Sequence, residues 1–361
     1  MKKNRVTLDN VCISESSNLA QKDIMEIDGD YPVFGASGYI KSINFYKQEK
    51  EYVAVIKDGA GVGRTMYLPA KSSVIGTLQY LLPKENIESK YLYYAITSMK
   101  LGSNYTGATI PHIYFKDYKH KTLPLPSKEE QNRIIRVLEQ VEGMIKKRKN
   151  QLEEYDNLTK SRFVEMFGDP ETNTKKYRMV NLCDIAQYFN GLTYSPENVS
   201  DEGIIVLRSS NIQNSKLDFK DIVRVRLNVK ENKIVRENDI LMCSRNGSAK
   251  LVGKVALIDN LPERMAFGAF MMIIRSEYYV YLFNYFQMDA FRRQITTGAT
   301  TTINQITSSM LDKVKLPLPE KCQVNEFEIF VKQVNKLKSC VYQSLNETQQ
   351  LFDSLMQEYF G

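Results

Sequence analysis

The chain has 361 residues, of which 43% are hydrophobic and 25% charged, and carries a formal net charge of +7. Such a composition excludes a disordered or fibrous chain and allows real cores, and the length favours two or more domains over one. The five cysteines (Cys12, Cys183, Cys243, Cys322, Cys340) show no C-x-x-C pairing and no nearby histidine, which argues against a zinc site or disulfide framework and fits a reducing cytosol.

The start, Met1-Lys2-Lys3-Asn4-Arg5, leads into no apolar stretch, so no signal peptide is expected, and no apolar run is long enough to span a membrane. Residues 1–126 read as an irregular, glycine- and β-rich domain. Tyr52 to Ile56 is a strand-like run, and Asp58-Gly59 after it marks a tight turn. Leu123-Pro124-Leu125-Pro126 closes this domain, because proline ends ladders and forces extended chain. Ser127-Lys128-Glu129-Glu130 is a capping box, in which serine and glutamate satisfy free N–H groups at a helix start.

Residues 127–168 are therefore expected to form one long helix. Ile134, Leu138, Val141, Ile145, Leu152, Tyr155 and Met166 recur along it at three- and four-residue steps, interrupted by Arg148, Thr159 and Arg162. Residues 169–177 read as a linker, and residues 178–319 as a second β-rich domain. In it Ile204 to Leu207 is strand-like, and Asn246-Gly247 stands where Asp58-Gly59 stands in the first. Leu316-Pro317-Leu318-Pro319 closes it, and residues 320–361 predict a second long helix. Its stripe is Phe327, Val331, Val334, Val341, Leu345, Phe352, Leu355 and Tyr359, interrupted by Lys338 and Thr348. Its start, Glu320-Lys321-Cys322-Gln323-Val324, lacks the serine and predicts a weaker cap. Both stripes are narrow heptad seams that call for helix-on-helix packing. Roughly 40 residues at about 1.5 Å each make a rod of roughly 60 Å. Each helix could cover its own globular domain, but two similar seams in one chain more naturally cover each other.

This order is an internal repeat. The Leu-Pro-Leu-Pro segments recur at an offset of 193, as do Phe167-Gly168 and Phe360-Gly361. Gly107-Ala108-Thr109 returns as Gly298-Ala299-Thr300, with Ile113 matching Ile306, and Tyr91-Leu92-Tyr93 answers Tyr281-Leu282-Phe283. Charge follows the same division. Residues 1–126 carry 16 Lys+Arg against 12 Asp+Glu, and residues 178–319 carry 18 against 14. Residues 127–177 are nearly balanced at 11 against 10, and residues 320–361 carry 4 against 6. Positive charge thus lies on the globular domains, as expected if they meet a polyanion, although a solvated surface accounts for it as well.

No catalytic constellation emerges. The two histidines, His112 and His120, form no H-E-x-x-H and no pairing with a cysteine. Gly59, Gly61 and Gly63 spell G-x-G-x-G, which is neither a dinucleotide fingerprint nor a P-loop. There is no G-x-S-x-G elbow and no Asn/Asp-Pro-Pro-Tyr/Phe methyltransferase motif. Glu88-Ser89-Lys90 matches the E-x-K of metal-dependent nucleases only as a common triplet. No catalytic residue and no metal ligand is assigned.

The combination resembles the specificity subunit of Type I restriction–modification systems, over essentially the whole chain. The resemblance is carried by the half-repeat, the Leu-Pro-Leu-Pro before each long helix, and Glu129-Glu130-Gln131 at the first helix start. It is carried too by the Phe-Gly helix ends and by turns such as Ser244-Arg245-Asn246-Gly247-Ser248. It implies an α+β fold, with two β-rich target-recognition domains, each followed by a long helix, and the helices pairing as an antiparallel coiled coil. It further implies that each domain reads one half of a split double-stranded DNA site, with the helices fixing the spacer. Two methyltransferase subunits and restriction (translocase) subunits would be the partners. S-adenosylmethionine, ATP and magnesium would belong to those partners, with no cofactor on this chain, no membrane and a cytoplasmic location.

Within such domains Arg245 and Asn246 could offer a guanidinium fork to guanine and an amide to adenine, although Asn-Gly equally makes a plain turn. Lys57, Arg64, Lys250 and Lys254 flank the turns as candidate phosphate contacts. Thr106, Thr109, Thr297 and Thr300 could bind backbone through hydroxyls or form structural loops, and Arg208 with Asn211 marks a polar run after a strand. Tyr91, Tyr93 and Tyr94 have helical spacing and are expected in the core. The helix seam is expected from Ile134, Leu138, Val141, Ile145, Leu152, Tyr155, Phe327, Val331, Val334, Val341, Leu345 and Phe352. The rival reading is a scaffold whose repeated domains bind protein or glycan on a helical strut.

Overall fold

A computed structural model describes residues 4–103, 105–107, 110–259, 261–296 and 305–361. The chain divides into two compact units, one formed by Met1–Gln151 with Val341–Gly361 and the other by Leu152–Cys340.

In the first unit β1 (Arg5–Thr7) and the single turn α1 (Leu8–Val11) lead into β2 (Cys12–Ser16). A second short turn, α2 (Gln21–Ile24), precedes the hairpin of β3 (Tyr31–Gly35) and β4 (Gly38–Ile43). Then come β5 (Tyr52–Ile56), β6 (Thr65–Leu68), β7 (Ser73–Val74) and β8 (Leu78–Pro83). The domain closes with α3 (Ser89–Ser98), α4 (Phe115–Tyr118) and β9 (Thr122–Pro124), and the long helix α5 runs Lys128–Phe167, its residues from Leu152 onward belonging to the second unit.

The second unit repeats the plan with β10 (Arg178–Asn181), β11 (Gln187–Asn190) and β12 (Val199–Leu207). A small hairpin, β13 (Ile212–Gln213) and β14 (Lys216–Leu217), and β15 (Arg224–Val225) follow. Next are β16 (Ile240–Cys243), β17 (Val255–Leu257), β18 (Met265–Phe267) and β19 (Met271–Arg275). Helices α6 (Tyr279–Tyr285), α7 (Asp289–Thr296) and α8 (Ser308–Leu311), β20 (Lys315–Leu318) and α9 (Lys321–Phe360) complete the chain, with α9 from Val341 onward belonging to the first unit.

The repeat is topological as well as sequential. Each unit has a four-stranded antiparallel sheet, ordered β2-β8-β5-β6 and β11-β19-β16-β17. Each also has a three-stranded mixed sheet, β4-β3-β7 and β15-β12-β18, whose last pair is parallel. The strands β5 and β16 lie inside the four-stranded sheets and are buried along their whole length. Alternate residues point to opposite faces, so one strand serves two cores. Val53 and Val55 face the helices while Tyr52, Ala54 and Ile56 face the mixed sheet. Ile240 and Met242, against Leu241 and Cys243, divide in the same way. A strand covered on both faces reads as a continuous apolar run, as Tyr52 to Ile56 does.

The Leu-Pro-Leu-Pro segments do more than close the domains. Each is a strand of a two-stranded ribbon, β9 with β1 (Arg5 opposite Pro124) and β20 with β10 (Arg178 opposite Leu318). Proline is tolerated there because one side of each strand has no ladder to feed.

The helices pair antiparallel. In the second unit Asp156 meets Lys338 in an ion pair, while Arg162, further along α5, meets Glu326, earlier in α9. In the first unit Ile134, Ile135 and Leu138 at the start of α5 share a core with Met356 and Phe360 at the end of α9. Of the expected seam, Ile134, Leu138, Val141, Ile145, Leu152, Phe327, Val334 and Val341 are buried, and Tyr155, Val331, Leu345 and Phe352 are partly buried. Phe163 and Phe167, absent from that list, are the most buried residues of α5's second half. The threonine and lysine interruptions of the seam are absorbed locally. Thr159 and Thr348 return their hydroxyls to the carbonyls of Tyr155 and Ser344 one turn back, and Lys338 is held by Asp156.

The second helix start, which lacks the serine, is capped in a different way from the first. Ser127 Oγ accepts from the Glu130 N–H at 3.3 Å in the first helix. In the second, Gln323 Oε1 reaches back to accept from the Glu320 N–H at 3.2 Å. The two starts use opposite halves of the capping box.

Cysteine reactivity gives a direct check of this packing. Cys12 and Cys243 are buried, whereas Cys183, Cys322 and Cys340 are exposed. Burial pushes the Cys12 thiol up to about 12 and also raises that of Cys243. Since the thiolate is the nucleophile, thiol titration of the native protein should consume the three exposed cysteines quickly. The remaining two should react only after unfolding.

Candidate nucleic-acid interface

At one end of each four-stranded sheet the chain leaves its buried strand, makes a turn and returns. In the first unit Gly63 N–H donates to Ile56 C=O at 2.8 Å, closing the turn, and the N–H groups of Lys57 and Asp58 donate to Thr77 C=O at 3.0 and 3.3 Å. In the second, Gly253 N–H donates to Cys243 C=O at 2.8 Å, and Ser244 and Arg245 donate to Phe270 C=O at 2.9 and 3.1 Å. A second loop joins each turn. Ile113 N–H donates to Lys57 C=O at 2.9 Å and Ile306 N–H to Ser244 C=O at 2.7 Å. Asp58 is bridged to His112 and Arg245 to Gln305.

This frame shifts the expected correspondence by one residue. Asp58 matches Arg245 rather than Asn246, and the second turn is longer. The same backbone thus offers Asp58, Thr77 and His112 in one unit and Arg245, Phe270 and Gln305 in the other. Nothing in local sequence aligns these residues; the equivalence comes from shared hydrogen bonds. Thr77, Phe270, His112 and Gln305 were all missed for that reason. Phe267 and Phe270 look alike in sequence, yet one is fully buried and the other 59% exposed.

The structure also sorts the candidate side chains. Arg245 and Lys250 are exposed, and neither makes an ion pair among the described residues. The Arg245 guanidinium lies over the Phe270 ring, 5.7 Å from its centroid. Arg64 is exposed, with its guanidinium donating to Ala36 C=O. Lys57 is half-buried beside Asp58, at 3.8 Å. Lys254 is half-buried and points to Ile212 C=O at 3.4 Å. Arg208 pairs with Asp221 at 2.7 Å. Thr106 and His112 exchange two backbone hydrogen bonds, of 2.9 and 2.8 Å, at the neck of their loop. Thr109, Thr297 and Thr300 lie outside the described residues.

Two asparagine candidates serve their own loops. Asn211 is buried, its Oδ1 accepting from Arg208 N–H and its Nδ2 donating to the carbonyls of Asp218 and Asp221. Its amide holds the loop and has no free edge to present. Asn246 is half-buried, accepting from Ser248 N–H at 2.9 Å and donating to Ser209 Oγ at 3.2 Å. Each end of its amide makes one of these bonds, so it helps build the turn that Arg245 projects from. These bonds do bring the 208–211 loop and the 244–254 turn to one end of the unit. Tyr91 and Tyr94 are fully buried in the core, and Tyr93 is partly buried against it. Among the described residues no three His, Cys, Asp or Glu side chains gather as metal ligands, and no helix is long and apolar enough to cross a membrane.

The glycine at the turn's return is required by geometry. Gly63 has φ +80°, and a Cβ there would collide with the backbone of Gly102. Gly143, on α5, has open space around it. Gly63→Ala should therefore lower stability by at least about 1–3 kcal/mol. Gly143→Ala should raise it by roughly 0.5–1 kcal/mol, because alanine loses less backbone freedom in a helix. Urea unfolding midpoints of the two variants should move in opposite directions.

A family model described as "Type I restriction modification DNA specificity domain" matches residues 2–154 and again 174–346. The specificity subunit of the type I restriction enzyme StySPI from Salmonella potsdam is 29% identical over 171 residues, 44% of this chain and 37% of that protein. The EcoKI specificity subunit of Escherichia coli K12 matches to the same extent, so the aligned part spans little more than a third of either relative. The MjaVIII specificity subunit of Methanocaldococcus jannaschii is 21% identical over 81% of this chain and 76% of its own length. The crystal structure of a Type I restriction–modification S subunit from M. genitalium superposes with a TM-score of 0.60. It covers 100% of this chain and 97% of that one at 16% identity, a likeness of fold. With the family model matched once in each half, on the same fold repeated, this chain belongs to the Type I restriction–modification specificity subunit family.

Proposed function

We propose that the chain reads a bipartite site on double-stranded DNA as the specificity subunit of a Type I complex, each unit reading one half. The observation that carries this is the repeated frame, in which the same backbone hydrogen bonds present different side chains in the two units. A protein that reads two unlike half-sites needs such an arrangement, since phosphate contacts position it and base contacts specify. Exposed cations at the turns, Arg64 in one unit and Arg245 with Lys250 in the other, supply the attraction to phosphate. The work of catalysis falls to partners, two methyltransferase subunits and the restriction subunits, which would bring S-adenosylmethionine, ATP and magnesium. Unbridged cysteines suit the cytoplasm, where such DNA is met.

The test uses the chain assembled with its cognate methyltransferase subunit. The methylated motif is mapped by sequencing, and a duplex carrying it is compared with a scrambled duplex as salt rises. The motif duplex should bind more tightly, and affinity should fall by about a thousandfold or more between roughly 50 and 200 mM salt if six or more phosphates are contacted. Binding that ignores both sequence and salt, in an intact assembly, would favour a scaffold for protein or glycan.

Arg245 provides the residue-level check. Arg245→Ala should cost about 1–3 kcal/mol on the motif duplex and make one position of one half-site degenerate. Equal weakening on every sequence would reduce Arg245 to a phosphate contact.

A further inference from the structure

Phe270 is 59% exposed, and its carbonyl accepts from the Ser244 and Arg245 N–H groups of the turn just described. It lies in the turn 268–271, closed by Met271 N–H donating to Gly268 C=O at 2.8 Å. Its backbone carbonyl does the same work as that of Thr77, accepting two N–H groups from the neighbouring turn. The frame therefore needs only the main chain here, and threonine suffices in the other unit. A phenyl ring left in water at such a position has no role in the core of its own unit.

The ring is not isolated. Arg245, exposed and without an ion pair among the described residues, lies over it at 5.7 Å. A guanidinium resting on an aromatic face loses freedom before it meets anything else. Ring and fork thus form one presented unit, and whatever they touch must lie side by side.

We propose that Phe270 is a specificity-determining residue of the second unit, whose ring meets the C5 methyl of a thymine next to the guanine read by Arg245. This rests on the DNA-reading function proposed above. The methyl is the apolar group that base edges display in the major groove, and a phenyl ring is a known match for it. The ring has no donor or acceptor for a phosphate or for the polar edges of other bases. With the Arg245 guanidinium 5.7 Å from the ring centroid, the thymine and guanine positions must be neighbours.

The experiment uses the assembled complex with parent chain, Phe270→Ala and Phe270→Thr, the last being the residue the first unit carries at this place. Native melting is recorded for each, and both variants should keep it because the ring is exposed. Methylated motifs are mapped, and binding is measured on the motif duplex with thymine or with deoxyuridine at the position next to the Arg245-dependent guanine. The parent should lose roughly fourfold in affinity when the methyl is removed, about the worth of one buried carbon. Alanine and threonine can also touch a thymine methyl, but from this backbone position their side chains end well short of the ring's far edge. Both variants should therefore be indifferent to the methyl and should degenerate at that position only, with the other half-site unchanged. A variant that keeps the parent's motif and methyl response overturns the proposal. So does uniform weakening on all sequences, which would make the ring a wedge between base steps. If the parent complex does not distinguish motif from scrambled DNA, the DNA-reading function itself fails, which is a separate result.

Discussion

In each unit a buried tyrosine joins three parts of the chain that are far apart in sequence. Tyr91 donates its hydroxyl to Pro124 C=O at 3.0 Å and sets its ring 5.1 Å from Phe360. Tyr281 does the same with Pro317, at 2.7 Å, and Phe167, at 5.1 Å. The proline strand, the short helix and the last turn of a long helix are thereby fixed together. The Phe that packs on each domain ends the other half's helix, so neither half completes its own core. Gly168 and Gly361 end those helices, each donating its N–H to the carbonyl four residues back. The Phe-Gly repeat thus records a packing requirement.

That exchange explains why the seams are narrow and why polar residues in them persist. A helix covered by one partner helix and one end of a sheet needs apolar residues only on two short arcs. Between them, charged groups are tolerated where a partner stands opposite. The two halves solve one site differently. Gln131 is fully buried, accepting from Glu88 N–H and donating to the carbonyls of Asn86 and Pro126. At the matching place in the second helix stands Val324, in an apolar core. Breaking the glutamine's network would strand three backbone groups, each costly when left unpaired.

The surplus of positive charge is a poor guide to the candidate interface. Arg224, Arg226, Arg264 and Arg275 all face carboxylates of their own unit. Arg275 grips Asp239 with two bonds of 2.7 Å. Such pairs contribute little attraction for an outside anion, and what counts is the few cations left over at the turns. Their position, at the end of a strand buried on both faces, gives a mobile-looking sequence a rigid mount.

The sequence by itself determined the two halves, the long helices and the strands buried on both faces, because periodicity and repeated motifs are local or directly comparable along the chain. It identified Arg245 as a candidate and Tyr91 and Tyr94 as core, since charge and helical spacing suffice for those. Only the tertiary structure decided that Asn211 and Asn246 hold loops rather than face outward, because hydrogen bonds to Asp218, Asp221 and Ser209 exist only once the chain is folded. Only it distinguished Phe270 from Phe267, three residues away and identical in chemistry. A side chain's exposure depends on what packs over it, and that covering comes from strands and loops distant in sequence.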